Sequence, residues 1–429
     1  MSTENLIKAM RNNDVEQFRA ILSEKSRSHE LQTLDYERLL HKALKLGCRR
    51  IANILLDENH VVANANRNIT DALLHMAVKK YGRMNQWINL IVKMIEKLHP
   101  RLSYQDENGN TVVHVAFQTF ANDRLIDLLL KAYVEETVQN IINGSGLTVM
   151  HIACTRGDLD AVTKLRGDVD VNAQVFHDSE TLEAGNSALH FAVEYKKLDI
   201  AEFLLKDKAN VNVQNIHGST PLHVACDQRD VSMVDLLHSY DQINRNVRNQ
   251  VGLTHFMTAC MATDSAVAKK YILMAEVLDE MSPAPLINHK VTIRDTYPYS
   301  GYSPLHFAVA YGRTETVKLL LEHGADCSAV ADHGVTPLDL AEEHDHTEIC
   351  SILTEHIRTV RAKLDVKEAE KKKSLPSTSQ SEASTSATVS QEPQPSTSGS
   401  APQASIPRER IPGTDYYVTG HNPFSCSVS

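Results

Sequence analysis

One residue type recurs along this chain at a repeating distance, and a period of that length constrains a fold more than any local motif does. Alanines stand at 9, 43, 77, 116, 153, 192, 225, 259, 308 and 341, most of them 33 to 39 residues apart. Three residues before each lies an apolar side chain, from Leu6, Leu40 and Leu74 through Val113, Met150, Leu189, Leu222 and Phe256 to Leu305 and Leu338. An apolar residue and an alanine at i and i+3 share one helical face, and the small alanine lets a second helix approach closely. Twelve residues after the alanine a second apolar position recurs at Ile21, Leu55, Leu128, Leu165, Leu204, Leu237, Leu320 and Leu353. It lapses only after Ala77 and Ala259, where longer spacings downstream point to insertions. A pair of amphipathic helices cannot bury both of its faces alone, so neighbouring pairs must stack.

Between the pairs lie turns rich in Gly and Asn or Asp, such as Glu107-Asn108-Gly109-Asn110 and Asn215-Ile216-His217-Gly218, which suit tight hairpin-like reversals. After such turns come Gly218-Ser219-Thr220-Pro221-Leu222-His223-Val224-Ala225 and Gly301-Tyr302-Ser303-Pro304-Leu305-His306-Phe307-Ala308. Ser187-Ala188-Leu189-His190-Phe191-Ala192 and Thr336-Pro337-Leu338-Asp339 are further copies. These segments resemble the core motif of ankyrin repeats, and Leu319-Leu320-Leu321-Glu322-His323-Gly324-Ala325-Asp326 resembles the end of that family's second helix. The resemblance implies a mostly α ankyrin-repeat solenoid of about ten helix-turn-helix units with hairpin-like turns over residues 1–357. It also implies a non-catalytic scaffold or adaptor that binds a protein partner on its concave face. The eighth unit is longer than its neighbours and carries Pro283, Pro285 and Pro298, so residues 262–300 are expected to project as a finger or loop rather than as helix.

Charge and cysteine usage narrow the partners. The formal net charge is −10, and no run of Lys and Arg interleaves with aromatics, so no nucleic acid partner is expected and a basic or neutral protein fits better. The seven cysteines are scattered, odd in number and never spaced as C-x-x-C, which reads as reduced thiols in a cytosolic or nuclear protein. No phosphate loop, nucleophile elbow or H-E-x-x-H is present, and no cofactor is expected.

Of the 21 histidines, His41, His75, His114, His151, His190, His223 and His306 occupy one repeat position. In the family that histidine hydrogen-bonds the turn backbone between repeats, a structural role, so no metal site is expected there. Glu342-Glu343-His344-Asp345-His346 looks like a ligand cluster in isolation, yet in register it is a solvated turn. Partner-facing positions, counted from each motif glycine, include Arg156, Tyr195, Asp227, Gln228, Tyr302, Tyr311 and Glu343, together with Asn110, Asn186 and Ser219 near the hairpins. Tyr and Arg are enriched among interface hot spots, which makes Arg156, Tyr195, Tyr302 and Tyr311 the expected anchors. Asn212 lies in a context similar to the asparagine-hydroxylation sites of ankyrin proteins, against its simpler reading as a turn residue.

Past the repeats, residues 358–373 are strongly charged, are expected to extend the last helix, and end in the basic triplet Lys371-Lys372-Lys373. Residues 374–429 form a Ser/Thr/Pro-rich tail expected to be disordered, since 15 of the 32 residues from Ser374 to Ser405 are Ser or Thr and none is aromatic. Near its end Asn422-Pro423-Phe424 resembles the tripeptide recognised by EH domains, and Cys426-Ser427-Val428-Ser429 has the form of a prenylation box. One lipid gives marginal membrane binding, so a cytoplasmic protein with a membrane-associated or nuclear fraction is the expectation. Repeats followed by such a tail also resemble inhibitors that sequester Rel-type transcription factors, although the Asp-Ser-Gly degron of those inhibitors is missing.

Overall fold

The computed structural model describes residues 2–27, 35–57, 67–135, 140–166, 169–175, 184–278, 286–291 and 299–374. Their helices fall into ten pairs. Units 1 to 5 join Ser2–Arg11 to Val15–Arg27, Tyr36–Leu46 to Arg49–Asp57, Arg67–Tyr81 to Asn85–Leu98, Val112–Gln118 to Asp123–Glu135, and Val149–Arg156 to Leu159–Lys164. Units 6 to 10 join Ala188–Glu194 to Leu198–Lys206, Pro221–Asp227 to Val231–His238, His255–Met261 to Ser265–Leu278, Pro304–Ala310 to Thr314–Glu322, and Pro337–Glu343 to Thr347–Ser374. Every first helix packs on the first helix of the next unit and every second helix on the next second helix, so the stack is unbroken from unit 1 to unit 10. Among the described residues extended pairing is limited to the isolated bridges Gln174 to Ser187 and Arg248 to Thr254.

The repeated motif makes physical sense as a helix start. Thr111, Thr148, Ser187, Thr220 and Ser303 cap the first helices in reciprocal capping boxes with the histidine three residues on, and Thr336 does the same with Asp339. Pro221, Pro304 and Pro337 occupy the first turn, where a missing N–H costs nothing. All ten periodic alanines are fully buried and form the spine between adjacent first helices. Replacing Ala225 by Leu is expected to overpack that seam and to cost about 1 to 3 kcal/mol in chemical denaturation; an unchanged midpoint would show the seam to be loose.

Three expectations require correction. Residues 262–300 do not leave the stack at once: Ser265–Leu278 is a regular second helix packed between its neighbours, and the extra length begins only after it. The twelve-residue rule does not fail after Ala259, because Tyr271 stands there, is buried, and packs on His238, His255 and Phe256. In units 3 and 4 an additional residue in the turn shifts the seam by one, so Leu90 and Leu129 are buried while Leu128 is exposed.

Candidate functional site

The first helices end one above another, and each ends at the same repeat position. Arg156, Tyr195, Gln228 and Tyr311 all follow the buried alanine of their unit by three residues, which brings them into a row at the last turn. Tyr195, Gln228 and Tyr311 are helix-terminating residues whose N–H groups donate to the carbonyls of Phe191, Val224 and Phe307. All are half-buried, so each ring or amide stands on the core and shows one side to solvent. The Arg313 guanidinium lies 5.9 Å from the ring centroid of Tyr311.

Asp227 sits one residue before Gln228 in this row. Burial raises its carboxyl to about 6, against the opposing pull of the Arg229 charge. A carboxylate held there gains from the approach of a cation, which would restore the charged form. Glu343 is exposed at the corresponding position of unit 10.

Arg156 is tied into the fold. It donates toward Asp123 at 3.4 Å, its Nε lies 3.9 Å from Asp158, and its guanidinium lies 5.3 Å from the ring centroid of Phe120. Tyr302 is corrected outright as a surface anchor: it is 5% exposed and packs on Tyr299, His306 and Phe307, and burial pushes its hydroxyl up to about 12. Asn110, Asn186 and Ser219 are also buried, because the turns pair with each other. Asn143 donates to Asn110 and Asn215 to Asn186, both at 3.0 Å, a ladder between turns that the sequence reading missed. A signal was available, since Asn recurs in these turns. Asn212 is half-buried; its amide donates to Gln242 O and accepts from Asn244 N, each at 2.7 Å, so it joins consecutive turns.

The repeat-position histidines bridge units, as the resemblance implied. His75, His114, His151, His190, His223 and His306 each place Nε2 at 2.9 to 3.2 Å from a carbonyl of the following turn. In the last five, Nδ1 accepts the N–H of the capping Thr or Ser. His41 is exposed, and Met257 stands in this place in unit 8. Among the described residues no group of His, Cys, Asp and Glu has the geometry to hold a metal ion. Cys426 and Asn422-Pro423-Phe424 lie outside the described residues.

Comparison with known proteins agrees with this architecture. The family described as ankyrin repeats (3 copies) matches residues 114–215, 173–249, 189–277, 222–327 and 256–367. The chain belongs to the ankyrin-repeat family, whose repeats mediate the binding of protein partners. Among curated relatives, the nuclear factor NF-kappa-B p105 subunit of Gallus gallus is 30% identical over 190 residues, 43% of this chain and 18% of that protein. Rabankyrin-5 of Homo sapiens is 32% identical over 164 residues, 38% of this chain and 13% of that protein. The chain thus spans less than a fifth of either relative. Among solved structures, the ankyrin repeat domain of Bcl-3, a member of the IkappaB protein family, is similar at 24% identity with a TM-score of 0.41, covering 49% of this chain and 87% of that one.

Proposed function

We propose that this chain is a non-catalytic scaffold that grips a protein partner along the row of first-helix ends, with Tyr195 and Tyr311 as apolar contacts and Asp227 receiving a cationic side chain. The observation that carries this reading is the placement of Tyr195, Gln228 and Tyr311 at one repeat position beside a carboxyl that burial holds at about 6. Half-buried tyrosines have little entropy left to lose on docking, which favours them as contacts.

Affinity purification of the full chain, followed by titration of the recovered partner, tests the reading. Tyr195→Ala and Tyr311→Ala are each expected to weaken binding by about 1 kcal/mol or more. Affinity should fall as the pH drops through 6 and Asp227 takes up a proton, and Asp227→Asn should weaken binding at pH 7 and flatten that dependence. Full affinity in both tyrosine variants would overturn the choice of surface. A second reading, sequestration of a Rel-type transcription factor, draws support from the likeness to the p105 subunit. Recovery of a Rel-type protein in the same purification would favour it over the adaptor role.

A further inference from the structure

The turns between the first and second helices continue directly from the first-helix ends, and in units 2 to 4 they differ from the rest of the chain, with Leu46 and Lys80 at the repeat position that Tyr195 and Tyr311 take in units 6 and 9. Lys45, Arg49, Arg50, Lys79, Lys80 and Arg83 cluster at or beside the turns of units 2 and 3. Among the described residues none of the six has a carboxylate partner. This is unexpected on a chain of net charge −10. In unit 5 the pattern reverses, because Arg156 pairs with Asp123 and Asp158, and Lys164 with Asp127 and Asp160.

The cationic side chains are positioned rather than loose. Lys80 donates to Lys45 O at 2.7 Å, Arg49 donates to Gln86 O, and Arg83 donates to Thr119 O, so each spans from one unit to the next. The turns are joined directly as well, Asn122 N donating to Gly82 O at 2.8 Å. Between the cations stand Leu46, Met84 and Phe120, one per unit, 42, 45 and 50% exposed.

Phe120 is the most telling of these. It has φ of +52° at the position that Gly47, Gly157 and Gly312 fill in three other units and the polar Asn13, Lys196, Arg229 and Asp345 in four more, so it is the one bulky apolar side chain among these positive-φ residues. A bulky side chain in the left-handed region is strained, and burial of a ring half in solvent does not offset that strain. The ring lies between two guanidiniums, with Arg83 at 5.6 Å and Arg156 at 5.3 Å from its centroid. An aromatic flanked by arginines has the composition of an interface hot spot.

We infer that the turn edge of units 2 to 4 is a second docking surface, on the same edge of the stack as the row of Tyr195, Gln228 and Tyr311 but in other units, and that its occupant is a short acidic polypeptide segment with interspersed apolar side chains. Charge complementarity selects the carboxylates, since preordered Lys and Arg donors on neighbouring units await anions. Leu46, Met84 and Phe120 select apolar residues between them. Stacked helices lie 8 to 10 Å apart, so three units present roughly 20 Å, about six residues of extended chain. The aspartates of units 4 and 5 end the site by repelling further acidic residues. Three apolar side chains set one per unit fit a peptide better than a bilayer, which would need a broad apolar face.

Fluorescence anisotropy with the full chain and a labelled peptide of Glu-Glu-Leu repeats tests the inference at low and physiological ionic strength. The peptide is expected to bind the wild type, and binding should fall by about tenfold or more in Arg49→Glu/Arg83→Glu. Phe120→Gly should also weaken binding by several-fold while leaving the melting temperature unchanged or higher, because glycine adopts positive φ without strain. A residue that served only the fold would lose stability instead. Tyr195→Ala, in unit 6, should bind this peptide normally, which separates units 2 to 4 from the row further along the same edge. Equal binding by the variants, equal binding of Lys-Lys-Leu repeats, or preferential binding of phosphatidylserine vesicles or a single-stranded oligonucleotide would overturn the proposal.

Discussion

Acidification from pH 7 to below 5 is expected to unfold the stack. Burial lowers the imidazoles of His114, His151, His190, His223 and His306 from 6.5 to about 4. Their geometry adds to this effect, because Nε2 faces a carbonyl and Nδ1 already accepts a backbone N–H, which leaves no place for a second proton. The folded pKa lies below the unfolded one, so between about 6.5 and 4 the unfolded chain binds more protons and stability falls with pH. At pH 5 the loss is about 2 kcal/mol per histidine, and five together approach the whole stability of a typical domain. His238, also lowered to about 4 by burial, acts in the same direction. Asp227 opposes them, since its raised pKa lets the native state take up one proton first. Circular dichroism melts at pH 7, 6 and 5 should show a steep drop across this window. A melting temperature that is flat from pH 7 to pH 5 would contradict the neutral bridging imidazoles.

The same histidines mark what was legible in the sequence. Their common register, three residues after a Thr or Ser cap and two before a buried alanine, identified both the helix start and the structural role of the ring. Ten pairs could be counted because each needs one alanine seam, a requirement that survives changes in the rest of the unit. The single-residue shifts in units 3 and 4 were hidden, because a period read from fixed offsets cannot register an added turn residue while a leucine still happens to occupy the expected place. Leu128 was such a coincidence, and Tyr271 was the converse, a core residue overlooked because an aromatic replaced the expected aliphatic. Exposure was the least legible property. Tyr302 and Asn110 follow the positional rule for partner-facing residues, yet both are covered by groups distant in sequence or in the next turn, and no local pattern encodes that cover. The turn edge escaped notice for a related reason, since its cations come from separate units and assemble only when the units stack.

Gly218→Ala is expected to destabilise the joint between units 7 and 8 by about 3 kcal/mol, well beyond the penalty of a left-handed backbone alone. Gly218 has φ of +70°, and a Cβ added there would lie 2.7 Å from Gln250 N and 3.0 Å from the Asn249 carbonyl carbon. Those atoms belong to the next turn, whose Gln250 N–H donates to His217 O at 2.9 Å, so the new methyl group would force that hydrogen bond open. The bridge from His223 Nε2 to Leu253 O, 3.1 Å long, ends in the same turn and would be disturbed with it. Gly334→Ala supplies the control, because Gly334 has φ of +80° but nothing within 4 Å of the added atom. That variant should show the left-handed penalty alone, about 1 kcal/mol. The difference between the two therefore measures close approach of neighbouring turns. Stability in a stack is a sum of unit and nearest-neighbour terms, so the damage should stay local. Trp87, the single tryptophan, stacks on Tyr81 at 3.7 Å in unit 3 and reports the other end of the molecule. In urea, Gly218→Ala should lose part of its helical signal well before Trp87 fluorescence changes, whereas Gly334→Ala should keep the two transitions close to those of the wild type. Equal shifts in the two variants would mean that the turns are not in backbone contact.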